Sequence, residues 1–369
     1  MDEPENNEIL IFSDEFPPDG GGAGIVARQL AFDLSASHKE ITLLVGRSDK
    51  QRITNENIIE VSRPTLIWPI MYVVRLALLH ARKFKIIVLN DNVAAYIAGL
   101  CFSKALLKKS TIVVHGEDAE FFLNRRSLRH HVFQYRFFYK RTLRHCNRVL
   151  TSSKYARDEF LKDASHLINP AKVQHAYMGI NPAFMGVQTL SSKADLGIPD
   201  NAIFLFTASR LVEDKGLLTM LEHFMEAASI DSRLHWHIAG EGPLRARLEG
   251  KIKAYSLQGR VVLLGKLNRS DMANHYSLAD VFWLLSRRKG ETFGLVYIEA
   301  AYYGTPSIGL RYAGVPEAIS EGVSGYFLDE GVALSELISK CLVLNRNVCK
   351  DFTLNFMSIN FARKILGED

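Results

Sequence analysis

Short runs of wholly apolar residues, separated by longer stretches of mixed polarity, set the rhythm of this chain. In the first half the runs ILIFS, ITLLV, KIIVLN, TIVVHG, NRVLTSS and KVQHAY read as strands. Strands that are apolar on both sides belong to a parallel sheet covered by helices on both faces. The stretch GINPAFMGVQTLSSKADLGIPDN, rich in Gly, Pro, Ser and Asn, reads as a linker, after which IFLFTAS, LHWHIAG, VVLLGK, DVFWLL and PSIGL restart the pattern. The expectation is an α/β protein with two Rossmann-like, doubly wound domains, 1–185 and 186–350, facing a central cleft. Ligands in such sheets sit at the carboxyl ends of strands, so motifs are sought there.

Length agrees, since 369 residues exceed one ordinary core. The most apolar run, LIWPIMYVVRLALLH from Leu66 to His80, is cut by Pro69 and Arg75 and falls short of the ~20 residues that a spanning helix needs. A packed helix is the reading. Four cysteines without CxxC spacing suggest neither a zinc site nor a disulfide framework, and point to a reducing compartment. The acidic start MDEPENNEILIFS lacks the basic beginning and long apolar centre of a cleavable signal, so a cytoplasmic location is expected. Residues 1–190 hold 25 Lys+Arg against 19 Asp+Glu, and the remainder 20 against 21, so the excess positive charge lies in the first half.

Several motifs follow strands. IFSDEFPPDGGGAGIVARQL places Gly20, Gly21, Gly22 and Gly24 ahead of a helix, where backbone can approach a phosphate or sugar. Gly22-x-Gly24-x-x-Ala27 also fits a dinucleotide fingerprint, which would make the chain an NAD-dependent oxidoreductase. Against that, the loop from Ser13 to Gly22 is long, contains Pro17-Pro18, and the second strand ends in LLVGRS with no ribose-binding acid. TASRLVEDKG carries Arg210 and Lys215, a planar fork and a point charge that together neutralise a diphosphate, or else a solvated basic face. Glu241, in the Gly-Glu-Gly turn of HIAGEGPL, is a ligand contact or a helix cap. His115 follows a strand beside Gly116 and is a candidate for hydrogen bonding to a substrate, against the plainer reading of a structural histidine. In GETFGLVYIEA, Glu291 falls in a loop and Glu299 in the second turn of a buried helix running from Phe293 or Gly294 to Tyr303. A buried carboxylate needs a partner, either a salt bridge or the hydroxyls of a ligand, and amides at the helix start, from Phe293 to Val296, aim at the same ligand.

Taken in order, these motifs resemble the retaining glycosyltransferases of the GT-B fold, most closely family 4. Arg210-x4-Lys215, GEGPL at 240–244, the Glu291/Glu299 pair and GTPSIGLRYAGVPEAISEGVSGYFL from 304 to 328 carry the match, which covers most of the second half and is looser in the first. The resemblance implies a nucleotide-diphosphate sugar as donor substrate, with no separate cofactor and no metal. Arg210 and Lys215 would hold the diphosphate, Glu299 the ribose, and Glu291 with Thr292, Phe293, Gly294 and Leu295 the transferred sugar. His115 would contact that sugar from the other lobe, while the loop around Gly22 would lie near the phosphates and Glu241 near the donor. Anomeric configuration would be retained by front-face displacement, the leaving phosphate helping to deprotonate the acceptor. The two carboxylates then grip the donor, unlike the flanking acid and base of a hydrolase. Where the family often has paired glycines this chain has Ala313-Gly314. Residues 351–369 resemble the last helix that crosses back to the first domain.

The acceptor is expected to be a glycan or a lipid-linked glycan of a bacterial surface, such as lipopolysaccharide. Residues 125–148 hold eight Lys/Arg and no acid, interleaved with Phe133, Tyr135, Phe137, Phe138 and Tyr139. Such a segment suits an anionic membrane at the inner face of the plasma membrane, or an ordinary helix with a core stripe. A non-catalytic membrane-binding module is the third function class. No nucleic-acid partner is expected, because no recognition motif accompanies the charge.

Overall fold

The structure, a computed structural model, describes residues 8–17, 22–35, 40–47, 57–64, 67–116, 118–125, 127–288 and 290–368. Seven strands form the first sheet: β1 (Ile9–Ser13), β2 (Ile41–Gly46), β3 (Ile58–Val61), β4 (Ile86–Leu89), β5 (Ser110–Val114), β6 (Arg148–Thr151) and β7 (Val173–His175). Their order is β3-β2-β1-β4-β5-β6-β7, and every neighbouring pair is parallel. The second sheet holds β8 (Ile203–Ala208), β9 (Leu234–Ala239), β10 (Val261–Gly265), β11 (Val281–Trp283), β12 (Ser307–Gly309) and β13 (Gly325–Phe327), ordered β10-β9-β8-β11-β12-β13 and again parallel. Each sheet reverses its strand order once, at β1/β4 and at β8/β11, which are the places where doubly wound sheets take ligands. Two strands were not expected from the sequence, β3 and β13. Both are edge strands of four and three residues. An edge strand has one neighbour and needs little apolar signal to pair.

Alternation along the strands sorts the first core into two faces. Leu10, Phe12, Ile87 and Leu89 meet Tyr72, Tyr96 and Tyr139 on one side, whereas Ile9, Ile11 and Val88 meet Val26 and Leu30 of the helix Gly22–Ser35 on the other. Phe361 and Ile365, from the last helix, Ser358–Leu366, belong to that second side. The chain accordingly divides into one unit of Met1–Met178 with Ser358–Asp369, and another of Gly179–Met357. Residues 179–185 and 351–357 pack within the second unit, where the Ile180 amide donates to the Phe356 carbonyl at 2.8 Å. The run around Leu66–His80 forms the helix Trp68–Leu78, with Pro69 in its first turn. Among the described residues no helix is long and apolar enough to cross a membrane.

Candidate active site

In the second unit, β8 ends at Ala208 and the chain turns through Arg210 into a single 3-10 turn, Glu213–Lys215, before the helix Leu217–Ile230. The Gly-Glu-Gly turn after β9 lies against this loop. The Leu211 amide donates to the Glu241 carbonyl at 2.9 Å, and a Cβ on Gly240 would stand 1.8 Å from the Ser209 carbonyl oxygen, so only glycine permits the approach. Arg210 is exposed and has no acidic partner among the described residues. Its side chain lines a cavity of about 450 Å³ at the carboxyl ends of β8, β9 and β10, together with Ser209, Glu241, Lys266, Leu267 and Met272. Lys266, Leu267 and Met272 escaped the sequence reading, although Lys266 follows β10 just as Arg210 follows β8. Glu241 points an exposed carboxylate toward Arg245, 3.6 Å away, and caps no helix amide.

Lys215 and Glu291, 76 residues apart in sequence, form a half-buried ion pair. The same Glu291 oxygen accepts from the Ser286 hydroxyl at 3.2 Å. The family resemblance implies separate ligands for the two residues, whereas in the structure they meet each other. Beyond Glu291 the helix is Leu295–Tyr302, one to two residues shorter at its start than expected, because Gly294 adopts a φ of +88° and stands outside the helix. The Leu295 and Val296 amides, at the first two helical positions, have no acceptor within the helix, the usual condition of a helix start. Phe293 contributes only backbone here: its ring is buried against Phe356, at 5.5 Å between centroids. Thr292 is half-buried, and its carbonyl oxygen would stand 2.0 Å from a Cβ on Gly314.

Glu299 finds the partner its burial requires. Its Oε2 accepts from the Tyr276 hydroxyl at 2.9 Å, while Oε1 has no partner among the described residues. Burial raises its pKa above the ordinary carboxylate value, and the Tyr276 hydrogen bond opposes that rise. A second cavity of about 410 Å³ lies at the carboxyl ends of β11, β12 and β13, lined by Gly216, Thr219, His223, Arg287 and Glu330 among others. Among the described residues no group of three His, Cys, Asp or Glu could hold a metal ion.

The first unit gathers its own polar cluster at β1, β4 and β5. His115 Nε2 contacts the Asn90 carbonyl at 2.6 Å, so this nitrogen carries the proton. Burial lowers the ring's pKa to about 4, which leaves the imidazole neutral with Nδ1 as its acceptor nitrogen. Asn90 in turn donates to the Ala23 carbonyl at 2.8 Å and to Ser13 Oγ at 3.0 Å. Asp91 caps the helix Asn92–Cys101 through the Ala94 amide at 2.8 Å and also accepts from the Asp14 amide at 2.5 Å. Burial first, and then the charge of Asp14, pushes Asp91 up to about 7. None of Asp14, Asn90 and Asp91 was singled out from the sequence, though SD and LND both follow strands.

Gly22 opens the helix Gly22–Ser35, is exposed, and has open space where a Cβ would go. Gly20 and Gly21, with Pro18, lie outside the described residues. Because β1 ends at Ser13, Gly22-x-Gly24-x-x-Ala27 sits inside a helix and not in the tight turn after the strand, which removes the geometric basis of the dinucleotide fingerprint. In the basic segment Tyr135 and Tyr139 are buried, so much of its aromatic stripe is core, while Leu128, Val132 and Phe137 are exposed.

Two parallel doubly wound sheets with this placement of residues define a GT-B protein. Comparison with known proteins bears this out: the model of glycosyl transferases group 1 matches residues 189–355 and that of glycosyltransferase family 4 matches 20–184. The chain belongs to these family 4 glycosyltransferases. Over 174 residues it is 28% identical to the N-acetyl-alpha-D-glucosaminyl L-malate synthase of Bacillus anthracis, covering 46% of this chain and 44% of that protein. Over 177 residues it is 25% identical to the alpha-monoglucosyldiacylglycerol synthase of Streptococcus pneumoniae, covering 47% and 40% respectively. The chain thus spans less than half the length of these two curated relatives. The crystal structure of Anabaena Alr3699/HepE in complex with UDP superposes with a TM-score of 0.73 at 17% identity, over 98% of each chain, and shares the fold.

Proposed function

We propose that this chain is a retaining glycosyltransferase that moves a sugar from a nucleotide-diphosphate donor to an acceptor hydroxyl without a metal. The observation that carries the reading is the Lys215–Glu291 pair at the carboxyl edge of the second sheet, with Arg210, which has no acidic partner among the described residues, nearby in sequence and the Leu295 and Val296 amides beyond it. A diphosphate competes with Glu291 for the Lys215 ammonium. On binding, it takes over Lys215 and frees the Glu291 carboxylate to accept from hydroxyls of the sugar. Donor binding and placement of the sugar are then one event, and the cations already in position stabilise charge on the departing diphosphate. Glu299 Oε1 suits a ribose hydroxyl, and the cavity lined by Arg210, Lys266 and Leu267 suits the base. The UDP complex of the fold neighbour supports a nucleotide-linked donor.

The acceptor side is read from the first unit, where His115 is the candidate for a hydroxyl contact. A glycan or lipid-linked glycan acceptor, taken at the cytoplasmic face of a bacterial plasma membrane, fits both the basic segment 125–148 and a relative named for a diacylglycerol product. Screening UDP-, GDP- and ADP-sugars for donor turnover identifies the donor. With that donor, Lys215→Ala and Glu291→Ala should each reduce transfer by about 100-fold or more, in line with loss of a charge-stabilising group, while circular dichroism shows an intact fold. Near-normal turnover in both variants would refute the proposal, as would a preference for NAD over the nucleoside diphosphates in a binding titration.

A further inference from the structure

Between β3 and β4 the helix Trp68–Leu78 carries apolar side chains all around, with Arg75 its one charged residue. Tyr72 and Leu76 are buried in the first core. On the other side Ile70 is 57% exposed, Val74 48% and Leu78 65%, and Ile67, just before the helix, 49%. Positions 67, 70, 74 and 78 fall on one side of a helix. A helix that is apolar on every side is ordinarily covered on every side, and a contiguous aliphatic stripe at a surface marks a contact that the fold itself does not supply. Beside the stripe opens a cavity of about 440 Å³ lined by Val73, Ala77, Phe102 and Leu106, with Lys83 at its edge. The cavity extends the apolar surface. Lys83 itself pairs with Glu8 at 3.2 Å.

The charge around this surface is mainly positive, since the acids that adjoin it, Glu8 and Asp14, are paired with Lys83 and Arg63. Residues 67–116 contain seven Lys/Arg and a single acid, Asp91, which is buried as a helix cap. The basic helix Tyr135–His145 packs on the same helix, Asn92–Cys101, as does Trp68–Leu78. Arg141 donates to the Gly99 and Phe102 carbonyls at 2.6 and 2.7 Å, which holds its guanidinium beside the cavity. Lys104, Lys108 and Arg144 stand around His145 with it, and after burial their charges are what lower that ring's pKa.

We propose that the Trp68–Leu78 face docks on a lipid bilayer that carries anionic lipid, the stripe entering the acyl boundary while the cations meet headgroup phosphates. An apolar interior edged with negative charge is what this surface complements. A second copy of the chain is the poorer partner, because it would bring cation against cation. The proposal extends the membrane part of the reading above, adding the apolar face of Trp68–Leu78 to the basic segment 125–148, and needs no transfer chemistry.

Co-sedimentation of the full chain with phosphatidylcholine vesicles, with and without phosphatidylglycerol and in the absence of donor, tests it separately from the transferase reading. The chain should partition strongly only with phosphatidylglycerol. Ile70→Ser/Val74→Ser/Leu78→Ser should lower partitioning ~10-fold or more, as expected for withdrawing three aliphatic side chains from an apolar phase, and Lys104→Ala/Lys108→Ala/Arg144→Ala should weaken it most at low salt. In a Val74→Trp variant, brominated lipid should quench the new fluorophore. The proposal fails if the triple-serine variant binds as the parent does, if phosphatidylglycerol confers no binding, if Trp at 74 is not quenched, or if sedimentation equilibrium shows a dimer that the serines dissolve.

Discussion

At Ala313 the backbone holds a φ of +52°, the left-handed region that a side chain enters at a cost of roughly 1–2 kcal/mol. The strain has a local cause. Gly314 donates its amide to the Glu291 carbonyl at 3.0 Å, so residues 313–314 are drawn against the loop that carries the Lys215 partner. Ala313→Gly should therefore stabilise the protein, by about 0.5–1 kcal/mol after the entropy of a new glycine is deducted. Urea unfolding measures this, and a loss of stability would show that the alanine methyl packs usefully. Residue identity was a good guide to which side chains matter and a poor guide to their partners. Lys215 and Glu291 could be picked out as charged groups in loops after strands, and Glu299 as an acid within an apolar helix, yet that Lys215 bonds Glu291, and Tyr276 bonds Glu299, depends on residues 76 and 23 positions apart meeting in space. Asp91 was passed over for the same reason: its importance comes from the Asp14 amide, 77 residues away.

Between elements, β9 and the helix Arg269–Leu278 meet through two histidines. The rings of His237 and His275 lie 5.5 Å apart and both are buried, with Nδ1 of the first and Nε2 of the second unpartnered among the described residues. Burial, and then the neighbouring His275, lowers His237 to about 4; burial also lowers His275. The unfolded chain binds these protons near pH 6.5 and the folded chain does not. The contribution of these two histidines is consequently complete above pH 6.5 and is lost as the pH drops from there toward 4, by on the order of 1–3 kcal/mol for His237. Thermal unfolding across that range should show the slope, and His237→Phe should reduce it, the part due to His115 and His275 remaining, whatever it does to stability at pH 7. An unchanged slope would assign the acid sensitivity elsewhere. Elements were the most legible level of the chain. Buried central strands such as β8, with six buried residues in a row, announce themselves, whereas β3 and β13 owe their pairing to a neighbour already in place. The Gly294 turn set the helix start at Leu295, where hydrophobic pattern alone could not distinguish it from Phe293.

Across the whole molecule the chain visits its first unit twice. The helix Ser358–Leu366 buries Phe361, Ala362 and Ile365 on the same face of the first sheet as Val26 and Leu30, and Arg148 donates to the Ile365 carbonyl at 3.3 Å. Ending the chain at Met357 should thus destabilise the first unit by about 3–5 kcal/mol, the burial of two large apolar side chains, and leave the second nearly unchanged. Trp68 reports on the first unit and the buried Trp236 and Trp283 on the second, so their separate urea transitions by fluorescence measure the difference. A truncated chain whose Trp68 transition does not move would show that the last helix contributes no stability.

The return of the last helix also bears on how the protein is made. Domains usually fold as they leave the ribosome, the first-made first. Here the face of the first sheet that carries Val26 and Leu30 waits for residues 358–366, which emerge only after the entire second unit has been synthesised. The half translated first is therefore completed last. During that interval Ile9, Ile11 and Val88 border an unfilled groove, and this nascent chain is the form of the protein most in need of a chaperone.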